Sequence, residues 1–100
     1  MLEHARLQWE EGDRRQRALA MPERRSVDRV VEQLVAELRR RLGSTFDSGE
    51  LAALYDGSSA WTMALAVRVA PSEPLAWEQW VADAAFNRYL RDASDWPLRW

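Results

Sequence analysis

The sequence predicts an all-α protein: a compact bundle of four helices at about 26–42, 48–56, 59–70 and 74–91, with a further helix at about 2–20. Three observations lead there. Seven apolar residues recur at helical spacing between Val27 and Leu42, and a helix-start signature stands at Asp47–Leu51. Pro22, Gly43, Gly57 and Pro71 then divide the chain into segments of helical length.

The N-terminal segment reads as a helix through its charges more than its apolar face. Glu10/Arg14, Glu11/Arg15 and Asp13/Arg17 each place an acid four residues before a base, the favourable order on a helix, at roughly 0.2–0.5 kcal/mol per pair. Leu2, Ala5 and Trp9 form only a thin apolar stripe. Gly12, in mid-helix, costs about 1 kcal/mol relative to alanine. The chain is therefore expected to be a single helical domain over 1–100, with 1–22 as a loosely docked N-terminal helix.

The next helix has the strongest pattern. Ser26 is a candidate N-cap, and Val27, Val30, Val31, Leu34, Val35, Leu38 and Leu42 fall within a sector of about 140° at 100° per residue. Gly43 is placed to terminate it, and Arg39, Arg40 and Arg41 complement the dipole in its last turn. Asp47 and Glu50 then fit an N-cap and N3 pair, with Phe46 and Leu51 as a hydrophobic staple.

Residues 60–70 alternate large and small apolar side chains, which is a strand period. The alanines favour helix, and no other segment offers a strand to pair with. Read as a helix, it is apolar nearly all round and is expected at the buried centre of the bundle. The last helix starts at Pro74. Gln79, Asp83, Asn87 and Arg91 form a polar line, with Trp80 beside it and Val81, Ala82, Ala85, Phe86 and Tyr89 facing away.

Composition excludes several chemistries. The chain has 100 residues, no Cys and one His, so disulfide, zinc-ribbon, iron–sulfur and thiol chemistry are not expected. All 14 basic residues are Arg, against 16 carboxylates. An Arg-only, Ile-free composition reflects a high-GC genome rather than a phosphate-binding device. With 30% charged and 47% apolar residues the chain has the make-up of an ordinary globular domain. Met1–Arg6 lacks an apolar leader core, and the run Ala60–Val67 is too short to span a bilayer, so a cytoplasmic location and no membrane partner are expected.

The segment 46–67 can be tested against a helix-turn-helix DNA reader. Glu50-Leu51-Ala52 and a Gly-Ser turn suit its first half. Its second helix offers almost nothing polar to base edges. From Gly43 onward the chain carries four Arg against eight carboxylates, a net −4 that repels phosphate. The first 42 residues carry ten Arg and eight carboxylates, interleaved. A degenerate nucleic-acid-binding regulator using Arg14–Arg41 is the alternative reading. Isolated glycines, serines at helix ends and scattered carboxylates supply no phosphate loop or catalytic constellation. No catalytic, cofactor-binding or metal-binding residue is named, no cofactor is expected, and the chain is read as not an enzyme.

The run Leu38-Arg39-Arg40-Arg41-Leu42-Gly43, with Glu50-Leu51-Ala52-Ala53-Leu54-Tyr55, Asp83-Ala84-Ala85-Phe86-Asn87-Arg88-Tyr89 and Ala93-Ser94-Asp95-Trp96, resembles small all-helical proteins of high-GC bacteria. The resemblance implies no activity, cofactor or partner.

Six Trp in 100 residues remain. Trp61 and Trp77 are expected in the core. Trp9, Trp80, Trp96 and Trp100 are harder to bury and, with Arg88 and Arg91, are the candidate interface of a protein–protein interaction module, with a homodimer as one form. The competing expectation is that α-helical packing at both chain ends hides those four indoles.

Overall fold

A computed structural model describes residues 2–43 and 47–98, with side chains over 4–43 and 47–92. The chain forms α1 (Leu2–Ala18), α2 (Glu23–Leu42), α3 (Ser48–Asp56), α4 (Ser58–Val69), a 3-10 turn (Pro74–Trp77) and α5 (Gln79–Leu98). Among the described residues there is no strand, and residues 60–69 are helix with Ala70 at the C-cap. Phe46, Trp100 and the side chain of Trp96 lie outside the described residues.

Local signals explain most boundaries. The Asp47 carboxylate accepts from the amides of Gly49 at 2.7 Å and Glu50 at 3.3 Å, capping α3 as its sequence predicts. Gly43 ends α2 at φ 79°, a backbone region that only glycine enters freely, and its N–H donates to the Arg39 carbonyl. Two boundaries differ from expectation. Helix α2 begins at Glu23 with Pro22 at its N-cap, so Ser26 lies inside the helix and does not cap it. The expected helix at 74–91 is broken by extended backbone at Glu78, and α5 then continues through the expected tail to Leu98.

Helix α5 is the centre of the molecule. Every residue from Trp80 to Phe86 is buried. One side meets an aliphatic cluster built on Val27, Val30, Val31, Leu34 and Val35 of α2 with Leu65 and Ala66 of α4. Another side meets a second cluster of Trp9, Leu38, Leu51, Phe86, Tyr89 and Leu90. Trp61 packs against both. The expectation that α4 occupies the centre is therefore corrected. Only Ser58, Thr62, Leu65 and Ala66 of α4 are buried, and α5 succeeds because its alanines admit neighbours on several sides.

Candidate interaction surface

The expected division of the tryptophans is reversed. Trp9 is 0% exposed and Trp80 8% exposed, whereas Trp61 and Trp77 are half-buried at the edges of the clusters. Helix α1 explains both burials. A Cβ on Gly12 would lie 2.5 Å from the Trp80 carbonyl oxygen and 2.7 Å from the Ala84 nitrogen, so the two backbones touch there. Glycine at this point costs helix propensity but permits the crossing. Gly12 meets 80–84 while Trp9 stacks on Phe86, so the two helices run antiparallel.

That crossing covers Asp83 in the polar line of α5, while Gln79 and Arg91 stay exposed. It brings Trp9 between Phe86, at 5.3 Å between ring centroids, and Tyr55, at 5.2 Å edge to face. Tyr55 meets Phe86 at 5.1 Å, closing a three-ring cluster. The expectation of a loosely docked N-terminal helix does not match this packing. Trp9 and Trp80 are likewise removed from the candidate interface, because α1 buries the one and lies over the other.

At the junction of α1, α3 and α5 the Tyr55 hydroxyl donates to Asp83 Oδ1 at 2.7 Å, with the Gln8 amide oxygen 3.0 Å away. Burial pushes both groups' pKa up, and the Asp83 charge raises the Tyr55 phenol further. The phenol thus holds its proton as a donor, and the pair acts as a polar strut between three helices. Two open clefts flank it. One of about 500 Å³ lies over His4, Gln8, Ala52 and Asp56, and one of about 390 Å³ over Leu7, Glu11, Arg15 and Trp80.

Six arginines of α1 and α2 are matched by acids. Arg14 pairs with Glu11 rather than Glu10, Arg17 with Asp13 at 3.0 Å, and Arg24 with Asp28 at 3.8 Å. Glu37 receives both Arg40 and Arg41, whose hydrogen bonds lower its pKa from 4.5 to about 2. Arg39 reaches across to Asp92 on α5 at 2.9 Å. Arg41 also stacks over Trp61, its guanidinium carbon 4.6 Å from the ring centroid. Of the two arginines expected to frame an interface, Arg88 is half-buried and Arg91 exposed on α5.

Leu7 on α1 and Met21 between α1 and α2 are exposed singly, and exposed apolar residues are grouped on α4. Ala60, Met63, Ala64 and Val67 follow one another at helical spacing and all face out, with Met63 45% and Val67 41% exposed. Beside Met63 a pocket of about 100 Å³ opens between α4 and the 3-10 turn, floored by Leu34, Ala66 and Val81. The other side of α4 is packed through Ser58, Thr62, Leu65 and Ala66, and the hydroxyls buried there are satisfied locally. Ser58 Oγ donates to the Tyr55 carbonyl at 2.7 Å, and Thr62 Oγ1 to the Ser58 carbonyl at 2.8 Å.

Sequence reasoning missed this surface because a helix apolar on all sides was assigned to the core. The signal available was Arg68, a charge one turn beyond Ala64 on the same stripe. The segment α3–Gly57–α4 does have helix-turn-helix connectivity, but α4 turns apolar side chains outward where a DNA reader needs donors and acceptors. Among the described residues no helix is long and apolar enough to cross a membrane. No family model, curated protein or solved structure matches the chain.

Proposed function

We propose that the chain is a non-enzymatic protein–protein interaction module, and that it makes contact through the outer face of α4. The observation that carries this reading is the exposed stripe Ala60–Met63–Ala64–Val67 on a helix firmly packed through its opposite side. Apolar residues grouped on one exposed face, next to a pocket the size of a side chain, are the usual elements of an anchor contact. Met adds an unbranched, polarizable side chain that adapts to a partner's shape. The described arginines of α1 and α2 are mostly engaged by carboxylates, which weakens their use as a phosphate-contacting face. The module acts in the cytoplasm.

The test is a photo-crosslinking residue placed at Ala64, compared with one at the exposed Arg29 of α2, in the cell that makes the chain. The expected result is a discrete protein adduct from position 64 and none from position 29. Adducts from neither position, or equally from both, contradict the reading. So does a mobility shift with DNA at low salt that fades steeply as salt is raised.

A further inference from the structure

We propose that the junction of α1, α3 and α5 is a binding site for a small organic amine, held as its ammonium by Asp83, Tyr55 and Gln8. None of these residues belongs to α4, so the site is separate from the face assigned to protein contact. The hydrogen bonding at the junction is short of donors. The Tyr55 hydroxyl has one proton and gives it to Asp83 Oδ1 at 2.7 Å, yet the Gln8 amide oxygen stands 3.0 Å from the same hydroxyl. Asp83 is 9% exposed, and among the described residues its second oxygen, Oδ2, has no partner. That oxygen is not sealed, because the described side-chain atoms that are both buried and unpartnered are the indole nitrogens of Trp9 and Trp61. Asp83, Tyr55 and Gln8 all line the cleft of about 390 Å³ between α1 and α5, so Oδ2 opens into it. A carboxylate withdrawn from water with one oxygen idle is costly, and a charged donor in the cleft offsets that cost.

The charges select a cation. Burial, the bond to Asp83 and the charges of Asp83 and Asp56 push the Tyr55 pKa up, so the phenol keeps its proton and two carboxylates bear on one place. Arg15 lines the same cleft but acts on Glu11, where it adds to the effect of Arg14, whereas burial and the Tyr55 hydroxyl are what act on Asp83. An ammonium carries three donors and no acceptor, which matches Asp83 Oδ2, the Gln8 amide oxygen and the Tyr55 hydroxyl oxygen. Its carbon body lies along Leu7 and Trp80, the apolar part of the lining. The cleft falls within the roughly 300–1,000 Å³ of small-molecule sites. A divalent metal ion asks for several more oxygen ligands, and among the described residues no group of three His, Cys, Asp or Glu is placed to hold one.

The experiment is an NMR titration of the full chain with phenethylamine, a primary ammonium on an apolar body, and in parallel with 2-phenylethanol, which carries a hydroxyl in its place. Phenethylamine is expected to give saturable shifts of the Gln8 side-chain amide and the Trp80 indole, with a Kd of about 1 mM or tighter. The alcohol is expected to bind about tenfold more weakly or worse, because the charge-assisted bond is gone. Asp83→Asn keeps the shape and removes the charge, and should weaken phenethylamine by about tenfold or more. Gln8 is exposed, so Gln8→Glu leaves the core alone while adding a second anion at the site, and should tighten binding about threefold or more. If Asp83→Asn loses helicity, the Gln8→Glu result decides. The inference is overturned by the absence of saturable shifts at Gln8 and Trp80, by equal binding of amine and alcohol, or by an unchanged Kd in Gln8→Glu.

Discussion

The two clusters on either side of α5 are built on different plans. The aliphatic one takes Val27, Val30, Val31, Leu34 and Val35 from a single helix and packs them against Leu65 and Ala66 of α4 and Trp80, Val81, Ala84 and Ala85 of α5. The aromatic one collects Trp9, Leu38, Leu51, Phe86 and Tyr89 from four helices, with Tyr55 at its edge. One is held by repeated apolar spacing along α2. The other is held by a glycine crossing and by rings meeting at 5.1–5.3 Å, and it carries a buried carboxylate beside it. A stripe can stabilise a fold through many similar contacts, whereas a junction depends on a few dissimilar ones. The difference also bears on function. The junction makes α1 part of the body of the protein and leaves α4 as the helix with an uncovered apolar side.

Truncation separates the two plans. Trp9→Ala should cost about 3–5 kcal/mol, since it empties the centre of the aromatic cluster, and a thermal melt should fall by more than about 10 °C. Val30→Ala, one valine among several on α2, should cost less. Equal losses from the two would erase the distinction between junction and stripe. Next in size is Gly12→Ala. Helix propensity alone favours alanine by about 1 kcal/mol, but the new methyl meets backbone atoms that have no rotamer to change. Overpacking of this kind costs about 1–3 kcal/mol, so denaturant unfolding should show net destabilisation. A more stable variant would mean that the α1–α5 crossing is looser than described.

Smaller effects test the ends and charges. Asp47→Ala removes the cap of α3 and should cost about 1 kcal/mol, read in the same unfolding curves. For Asp83 the folded carboxyl has a pKa above its ordinary 3.8, mainly through burial. The folded state then binds a proton more readily than the unfolded one, so this group adds stability as pH falls through its raised value toward 3.8. Glu11 and Glu37 are lowered by their arginines, and their contribution is lost only as pH drops below 4.5. The melting temperature should therefore rise slightly on mild acidification and fall at lower pH. Asp83→Asn should abolish the rise and keep the fall, and an unchanged profile would remove the desolvated carboxylate from the account.

Much of the aliphatic half was legible in the sequence. The α2 stripe, the Asp47 cap and the Gly43 stop are local signals, and the structure uses all three. The aromatic half was not legible in that way. Trp9 on a thin stripe and Trp80 beside a polar line look exposed until Gly12 lets α1 lie against α5. Their burial is a property of two helices together. The same limit hid the candidate surface. Apolar periodicity marks α4 as a helix with apolar sides, and only the packing of α5 shows that one of those sides stays uncovered.

Met21 and Met63 make the most direct measurement of the central claim, that α4 presents a face for a protein partner. Both are exposed, and Met21 lies between α1 and α2. Peroxide oxidation followed by mass spectrometry reads both thioethers in one sample. In the purified chain both should oxidise at comparable rates. In the cell that makes the chain, Met63 should be protected while Met21 continues to react. Equal oxidation of the two in both settings would contradict the claim.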